Sequence, residues 1–442
     1  MPNSSHPLDL KPQLQQFFKG EIKDDSETKK FYSHDTSIFE VEPQLVVFPK
    51  TISDIKNLVN FVSKHKKKYP KLSLTGRSGG SDMTGGSIND GIIIDFSKHI
   101  NKIGEIKANG TKVQPGVFYR DFEPKTLRKK LIYPTYPASK NLAAWGGMIN
   151  NNAGGEMTLK YGQTIDYVTQ VKVILADGNE YTFKDMDLNT LKKKMKQKTF
   201  EGQLYKKIFK LIDDNYSFIQ SKKPKVSKNS TGYLLWDVYD KARGRFNLAK
   251  LIVGSQGTLG LTTEAKVKLV STKPAEGLLT IYLNDIKQIP QLINTVLESN
   301  PDTFEAFDEE TLKLAIKFMP QFILILGLKE TIGMGFQFLP MLGSFALKGL
   351  PKFTFLVEYT ADNQQEVADK IDALNVKIKA LGLETAPAKT PIQAERYKVI
   401  RHESFNLLRK NVKDKHSAAF IDDFIIPPEK LPLFFPKFIK IM

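Results

Sequence analysis

Apolar and polar positions alternate along this chain in a way that separates strands from helices before any motif is considered. "PQLVVFP" (43–49) is a continuous apolar run bounded by prolines, which predicts a buried strand. In "TISDIKNLVNFVSKHKKK", Ile55, Leu58, Val59 and Val62 share one face at helical spacing, and Ser53 is placed as the N-cap. "KLSLTG" and "GIIIDF" (91–96) read as two further strands, with a glycine-dense loop between them. An opening helix-rich segment runs to about Lys30. From Lys112, "TKVQPGV" precedes a helix through "RDFEPKTLRKKL". "YVTQVKVILADG" and "NEYTF" then form a hairpin that turns at Asp177-Gly178. After "STKPAEG" the periodicity changes to longer units: strands "LLTIYLND" and "FTFLVEYT" alternate with helices near "IPQLINTVLES" and "NQQEVADKIDALNVKIKALG". The boundary falls near Lys273 to Gly277. It gives a first domain of residues 1–275, with parts at about 31–110 and 111–275, and a second of 276–442.

Glycine changes the picture next. Fourteen of the 29 glycines fall in the 87 residues from Gly76 to Gly162, and a further cluster opens "VGSQGTLGLTTEAKVKL" (253–269). "GSDMTGGS" has the spacing of a nucleotide P-loop but carries Gly86 where the lysine is required, and no G-x-G-x-x-G stands between a strand and a helix. Two readings of "RSGGSDMTGG" stay open from the residues alone. One is a tight irregular turn; the other is a run of backbone N–H groups shaped to hold an anion.

Composition bounds the chemistry. The 442 residues are 41% hydrophobic and contain no cysteine, which excludes disulfides, thiolate metal sites and cysteine nucleophiles. The net charge of +17 is spread over lysine runs such as "LKKKMKQK", without the arginine and aromatic stripes of a nucleic-acid reader, so no nucleic-acid partner is expected. The start lacks a basic segment followed by an apolar one, and a cytoplasmic location is expected. No repeat of solenoid or propeller spacing occurs.

In their order and spacing, "LTGRSGGSDMTGG", "PASKNLAAWGGMINNNAGGEMTLKYGQTIDYV" and "VGSQGTLGLTTEAKVKL" resemble the PCMH-type FAD-binding domain of vanillyl-alcohol-oxidase-type flavoproteins. Within these the chain resembles the group of D-lactate dehydrogenases and glycolate oxidase flavoprotein subunits. The fold so implied is α+β: a two-subdomain FAD-binding domain followed by an α/β cap (substrate) domain, here incomplete. The resemblance implies that Arg77, Ser78, Gly79, Gly80, Ser81 and Asp82 cradle the FAD pyrophosphate. Pro137, Ala138 and Ser139 match a segment beside the flavin, and Gly146, Gly147, Asn152, Gly154 and Gly155 match a second cofactor-lining block. Lys160, Tyr161 and Gly162 stand at a K-Y-G, with Tyr161 counted among the cofactor contacts. Gly254, Gly257, Thr258 and Gly260 match a third block, in which Gln256 replaces a glutamate. "NSTGY" (229–233) matches a further segment, or is a turn. Some relatives attach FAD through a histidine in the first loop, where this chain has Ser81. None of its six histidines falls in a matched glycine block, so FAD is expected to bind non-covalently.

"YKVIRHESFNLLRK" (397–410) resembles a helix whose arginine grips a substrate carboxylate, which points to Arg401, with His402 as the nearest candidate acid or base. "AAFIDDFIIPPEKLP" resembles the strand before the family's metal motif, which the chain does not reach by Met442. The alternatives are a fragment of a longer protein, which is the expectation, and a natural short form without the metal-linked base; a divalent metal is expected only if the missing C-terminus supplies its ligands. Residues 318–347 carry only two charges, Lys329 and Glu330, and are read either as core or cap packing or as a peripheral contact with the inner face of a membrane. The expected activity is oxidation of a D-2-hydroxy acid, D-lactate-like or glycolate-like, by hydride transfer to flavin N5, with electrons passed to a quinone or other carrier. The alternatives are an FAD oxidoreductase acting on another alcohol, sugar or lactone, and a flavin-binding fragment without turnover.

Overall fold

A computed structural model describes residues 9–317, 349–398 and 423–441. They divide into two compact units, with Thr272 ending the continuous part of the first and Lys273 starting that of the second. The short segment Glu156–Lys160 groups with the second unit and Asp423 with the first.

The first unit opens with a four-stranded sheet of β1 (Glu21–Lys23), β2 (Leu45–Phe48), β3 (Leu74–Arg77) and β4 (Ile92–Asp95), in the order β1-β2-β4-β3. Strands β2 and β3 run parallel to β4, and β1 lies antiparallel on the edge. Every residue of β2 and β4 is buried, which is why β2 and the three isoleucines of β4 read as apolar runs, with Asp95 the one buried charge at the end of β4. Helices α1 (Leu10–Gln15) and α2 (Ile52–His65) cover one face, placing Leu14, Ile55 and Leu58 in one core with Val47, Ile92 and Ile94. Burying each such side chain contributes about 1.5–3 kcal/mol.

Two details differ from the sequence reading. The N-cap of α2 is Thr51, not Ser53. The Thr51 hydroxyl accepts from the Asp54 N–H at 3.2 Å, and the Asp54 carboxylate accepts from the Thr51 N–H at 2.8 Å, a reciprocal box that starts the helix two residues earlier. Asp54 also accepts from the N–H groups of Lys19 and Lys50, each at 3.0 Å. Strand β1 interrupts the opening segment, which was read as helix-rich. Three residues are too few to display a period of two, and pairing with β2 creates the strand.

A second sheet contains β5 (Thr111–Val113), β6 (Val168–Ile174), β7 (Glu180–Lys184) and β8 (Leu261–Val267), all antiparallel, in the order β5-β8-β6-β7. The β6–β7 hairpin turns at Gly178, whose φ of +75° suits glycine. Near this sheet, in sequence between β5 and β6, lies the short helix α3 (Trp145–Asn150), anchored by the fully buried Trp145.

The second unit is built on β9 (Ala275–Leu283), β10 (Thr303–Asp308), β11 (Phe353–Ala361) and β12 (Glu384–Ala388), antiparallel in the order β10-β11-β9-β12. Leu279, Ile281 and Leu283 of β9 form a core with α4 (Ile289–Leu297) and α5 (Gln364–Ala380). The alternate β9 positions Glu276 and Leu278, with Glu358 of β11, face away from these helices. There Lys398 pairs with Glu358 and, at 3.2 Å, with Glu276. Among the described residues no helix is long and apolar enough to cross a membrane.

Candidate cofactor site

The first glycine loop leaves the sheet at the C-terminal end of β3, and its backbone is shaped by close approaches. A Cβ on Gly79 would lie 2.3 Å from the Leu142 carbonyl oxygen. Gly80 adopts φ +62°, and a Cβ there would lie 2.6 Å from the Arg77 guanidinium. At Gly79 a side chain would have to displace backbone, and at Gly80 the positive φ favours glycine. Asp82 holds the loop's far side. Its carboxylate accepts from the Gly86 N–H at 2.6 Å and the Thr84 hydroxyl at 2.8 Å, while its carbonyl accepts from the Thr36 N–H at 3.1 Å.

Between these restraints, the N–H groups of Ser78, Gly79, Gly80 and Ser81 donate no hydrogen bond among the described residues, and neither do the hydroxyls of Ser78 and Ser81. Four consecutive amides without acceptors, all on half-buried residues, are unusual in a folded chain and are suited to an anionic ligand. Behind the loop, Arg77 is buried at 8% exposure, with its guanidinium 5.1 Å from the centre of the Tyr32 ring. Tyr32 in turn donates to Asp95 at 2.7 Å. Burial depresses the Arg77 pKa, and burial beside the Asp95 charge raises that of Tyr32. An arginine's ordinary value is high enough that Arg77 keeps its positive charge despite burial, directly under Gly80.

The second and third blocks close the same cleft. Gly146 donates to the Pro115 carbonyl at 2.8 Å, while Gly147 is exposed and nothing would lie within 4 Å of a Cβ on it. Gln256 donates from its backbone to the Asn150 carbonyl and from its side chain to Asn151 Oδ1, each at 2.8 Å. These bonds tie the third block to the end of α3.

One cleft is lined by Ser78, Gly79, Gly80, Ser81, Asp82, Pro137, Ser139, Gly146, Gly147, Gly257 and Gly260. Arg77, Ala138, Asn152, Gly154, Gly155, Tyr161, Gly254 and Thr258 do not line it. Several of these serve it from behind. Asn152 is buried with φ +49°, and its side-chain oxygen accepts from the Ile165 N–H at 2.9 Å. A Cβ on Gly155 would lie 2.1 Å from the Tyr136 carbonyl oxygen. Thr258 bonds the Tyr233 hydroxyl at 2.8 Å, joining the third block to the "NSTGY" segment. Lys160 groups with the second unit, where it pairs with Asp302.

The cleft also uses Gly76, Gly86, Phe96, Pro115, Ala143, Met148, Asn150, Gln256, Leu261 and Thr262, which sequence reasoning did not assign to it. Among the described residues no histidine lines it. Arg401 and His402, together with residues 318–347, lie outside the described residues.

Known families fit this geometry. Residues 43–184 match the FAD binding domain, and residues 274–442 match the C-terminal domain of FAD linked oxidases. The chain belongs to the FAD-linked oxidases. The chain is 25% identical to D-2-hydroxyglutarate dehydrogenase of Pseudomonas putida, over 97% of this chain and 42% of the relative. It is 29% identical to glycolate oxidase subunit GlcD of Bacillus subtilis, over 69% of this chain and 54% of the relative. It is 23% identical to D-lactate dehydrogenase of Archaeoglobus fulgidus, over 88% and 67%. The chain thus spans about two-fifths of the length of the D-2-hydroxyglutarate dehydrogenases it matches. Among solved structures, alkyldihydroxyacetonephosphate synthase shares the fold, with a TM-score of 0.61 and 16% identity over 92% of this chain and 67% of that one.

The cofactor of the family is FAD, and the residues present fit it. Unpaired amides and hydroxyls from Ser78 to Ser81 suit a diphosphate, and the open side of Gly147 leaves space where any side chain would intrude.

Proposed function

We propose that this FAD-linked oxidase oxidises a D-2-hydroxy acid to the 2-oxo acid. The observation that carries the reading is the row of unpaired N–H donors from Ser78 to Ser81 on the cleft wall. The substrate class comes from the relatives, whose names specify D-2-hydroxyglutarate, D-lactate and glycolate.

FAD, when bound, supplies the acceptor for the substrate's α-hydride. The chain's own residues act around it. The amides of Ser78, Gly79, Gly80 and Ser81 would hold the diphosphate oxygens, and Arg77 would add an attractive potential from beneath the loop. Gly257 and Gly260 would form the opposite wall. Ser81 stands where covalently flavinylated relatives carry a histidine, so binding is non-covalent in this reading. Arg401 would grip the substrate carboxylate, a task its planar fork suits because it pairs both oxygens at once. Electrons would leave to a quinone or another carrier, and residues 318–347 would touch the inner membrane face. Flotation with anionic liposomes at low salt tests that contact, and absence of association removes it.

The deciding experiment is anaerobic addition of D-2-hydroxyglutarate, D-lactate and glycolate, one at a time, to the purified full-length protein. Bleaching of the visible flavin absorption by one acid is the expected result. Bound flavin that none of the three bleaches would refute the substrate class while leaving the cofactor site intact.

A further inference from the structure

The first unit contains a second cleft, with a volume of about 580 Å³, that shares no lining residue with the cofactor cleft. That size is in the range of small-molecule sites. Trp236, Tyr216 and Tyr239 supply aromatic surface, and Lys250, Lys223 and Arg243 supply positive charge.

The carboxylates around this cleft already have partners. Asp237 pairs with Lys223 at 3.0 Å, Asp240 accepts from the Arg243 N–H at 3.0 Å, and Asp166 accepts from the Gln163 N–H at 3.0 Å. Lys250 differs. Its Nζ donates to the Ile165 carbonyl at 2.5 Å, and no carboxylate lies within ion-pair distance of it among the described residues. An ammonium carries three donors, so two are left over. Burial depresses its pKa, and the charges of Asp166 and Asp237 oppose this only in part. The wall toward the cofactor cleft is Asn152, whose Nδ2 donates to the Asn229 carbonyl at 3.1 Å. Its neighbours Asn151 and Ala153 line the cofactor side.

We propose that this cleft is a second ligand site, which takes a small carboxylate carried on a flat apolar body. The Lys250 ammonium meets the carboxylate, and the aromatic wall beside Trp236 receives the body. The assignment rests on the cleft's own residues and is independent of the substrate proposed above.

Calorimetric titration of the holoenzyme with naphthoate, and in parallel with the neutral naphthalenemethanol, tests it. Saturable naphthoate binding is expected, weakened at least about tenfold by Lys250→Met and matched by the alcohol only about tenfold more weakly. Lys250→Arg, which keeps the charge, should bind within about threefold of wild type. If Lys250→Met fails to fold, the acid-against-alcohol comparison on wild type decides alone. Equal binding of acid and alcohol, or no saturable naphthoate binding, overturns the proposal.

Discussion

Replacing Gly147 by leucine separates folding from cofactor binding more cleanly than any other change in the cleft. Gly147 sits inside α3 with ordinary helical φ, is exposed, and has no atom within 4 Å of where a Cβ would stand. The protein itself therefore does not resist a side chain there. Exchanging a helical glycine for leucine should stabilise the apo-protein by roughly 0.5–1 kcal/mol, through reduced backbone freedom in the unfolded chain. Gly147 lines the cleft, so the same side chain would take up part of its space. Forcing a bulky ligand past an intruding group of this size costs about 1–3 kcal/mol, or about 5- to 150-fold in affinity. Gly147→Ala, with one methyl, should lie between the two. The assay pairs thermal unfolding of the apo-proteins with FAD titration followed by flavin fluorescence. Undiminished FAD affinity in Gly147→Leu would refute the placement of the cofactor, and a lowered melting temperature would refute the claim that the space is open. Gly79→Ala is the contrasting control: its Cβ would meet the Leu142 carbonyl at 2.3 Å, so stability itself should fall by about 1–3 kcal/mol.

The Asp82 carboxylate closes the loop onto Gly86 and Thr84, so Asp82→Ala should weaken FAD binding about tenfold with little change in melting temperature, and Asp82→Asn should weaken it less. Unchanged affinity in Asp82→Ala would show that the loop needs no such tie. The buried Asp54 carboxylate accepts from three backbone N–H groups, and Asp54→Ala should destabilise the first unit by about 3 kcal/mol or more, read as a shift in the chemical denaturation midpoint. A shift under about 1 kcal/mol would mean water replaces those bonds. Burial alone would lower the Lys398 pKa, but Glu358 and Glu276 outweigh it and raise it above the ordinary lysine range. The folded chain then keeps a proton that the unfolded chain releases near pH ~10.5. Stability of the second unit should accordingly be intact below that pH and decline as pH rises beyond it. Lys398→Met should flatten the decline, and an identical profile in wild type and variant would refute the linkage.

What could be read from the sequence was decided by local backbone demands. Strand β2 and the Ile92, Ile93 and Ile94 run of β4 are apolar because both faces are covered, and α2 shows its buried stripe at Ile55, Leu58 and Val59. The cap of α2 was misread by two residues. Ser53 is the better cap in isolation, and the reciprocal bonds with Asp54 decide for Thr51. Glycines marked the loops because they are demanded by contacts close in space, such as Gly79 against Leu142. Phe96, Pro115, Ala143 and Met148 carried no comparable mark. They line the cleft through packing of distant segments, and an apolar residue looks the same in sequence whether it faces a core or a ligand. No composition change marks Glu156–Lys160 as belonging with the second unit, and only the placement of Lys160 beside Asp302 reveals it.

Arg77 shows how far elementary geometry could have gone. A basic residue beside a glycine loop invites the reading of a direct phosphate contact. Yet β3 ends at Arg77, and side chains alternate faces along a strand, so Arg77 and its neighbours Gly76 and Ser78 point to opposite sides. Gly76 and Ser78 line the cleft, and Arg77 lies behind it against Tyr32. Gly80 lies against the same side chain: it adopts φ +62°, and the guanidinium fills the space a Cβ would need. A charge held there acts on the cleft through the loop and not through a contact, so it can favour an anion of any orientation while the amides from Ser78 to Ser81 set the geometry. Attraction and aim are thereby assigned to different atoms, and the glycines allow the two to lie within one turn of chain.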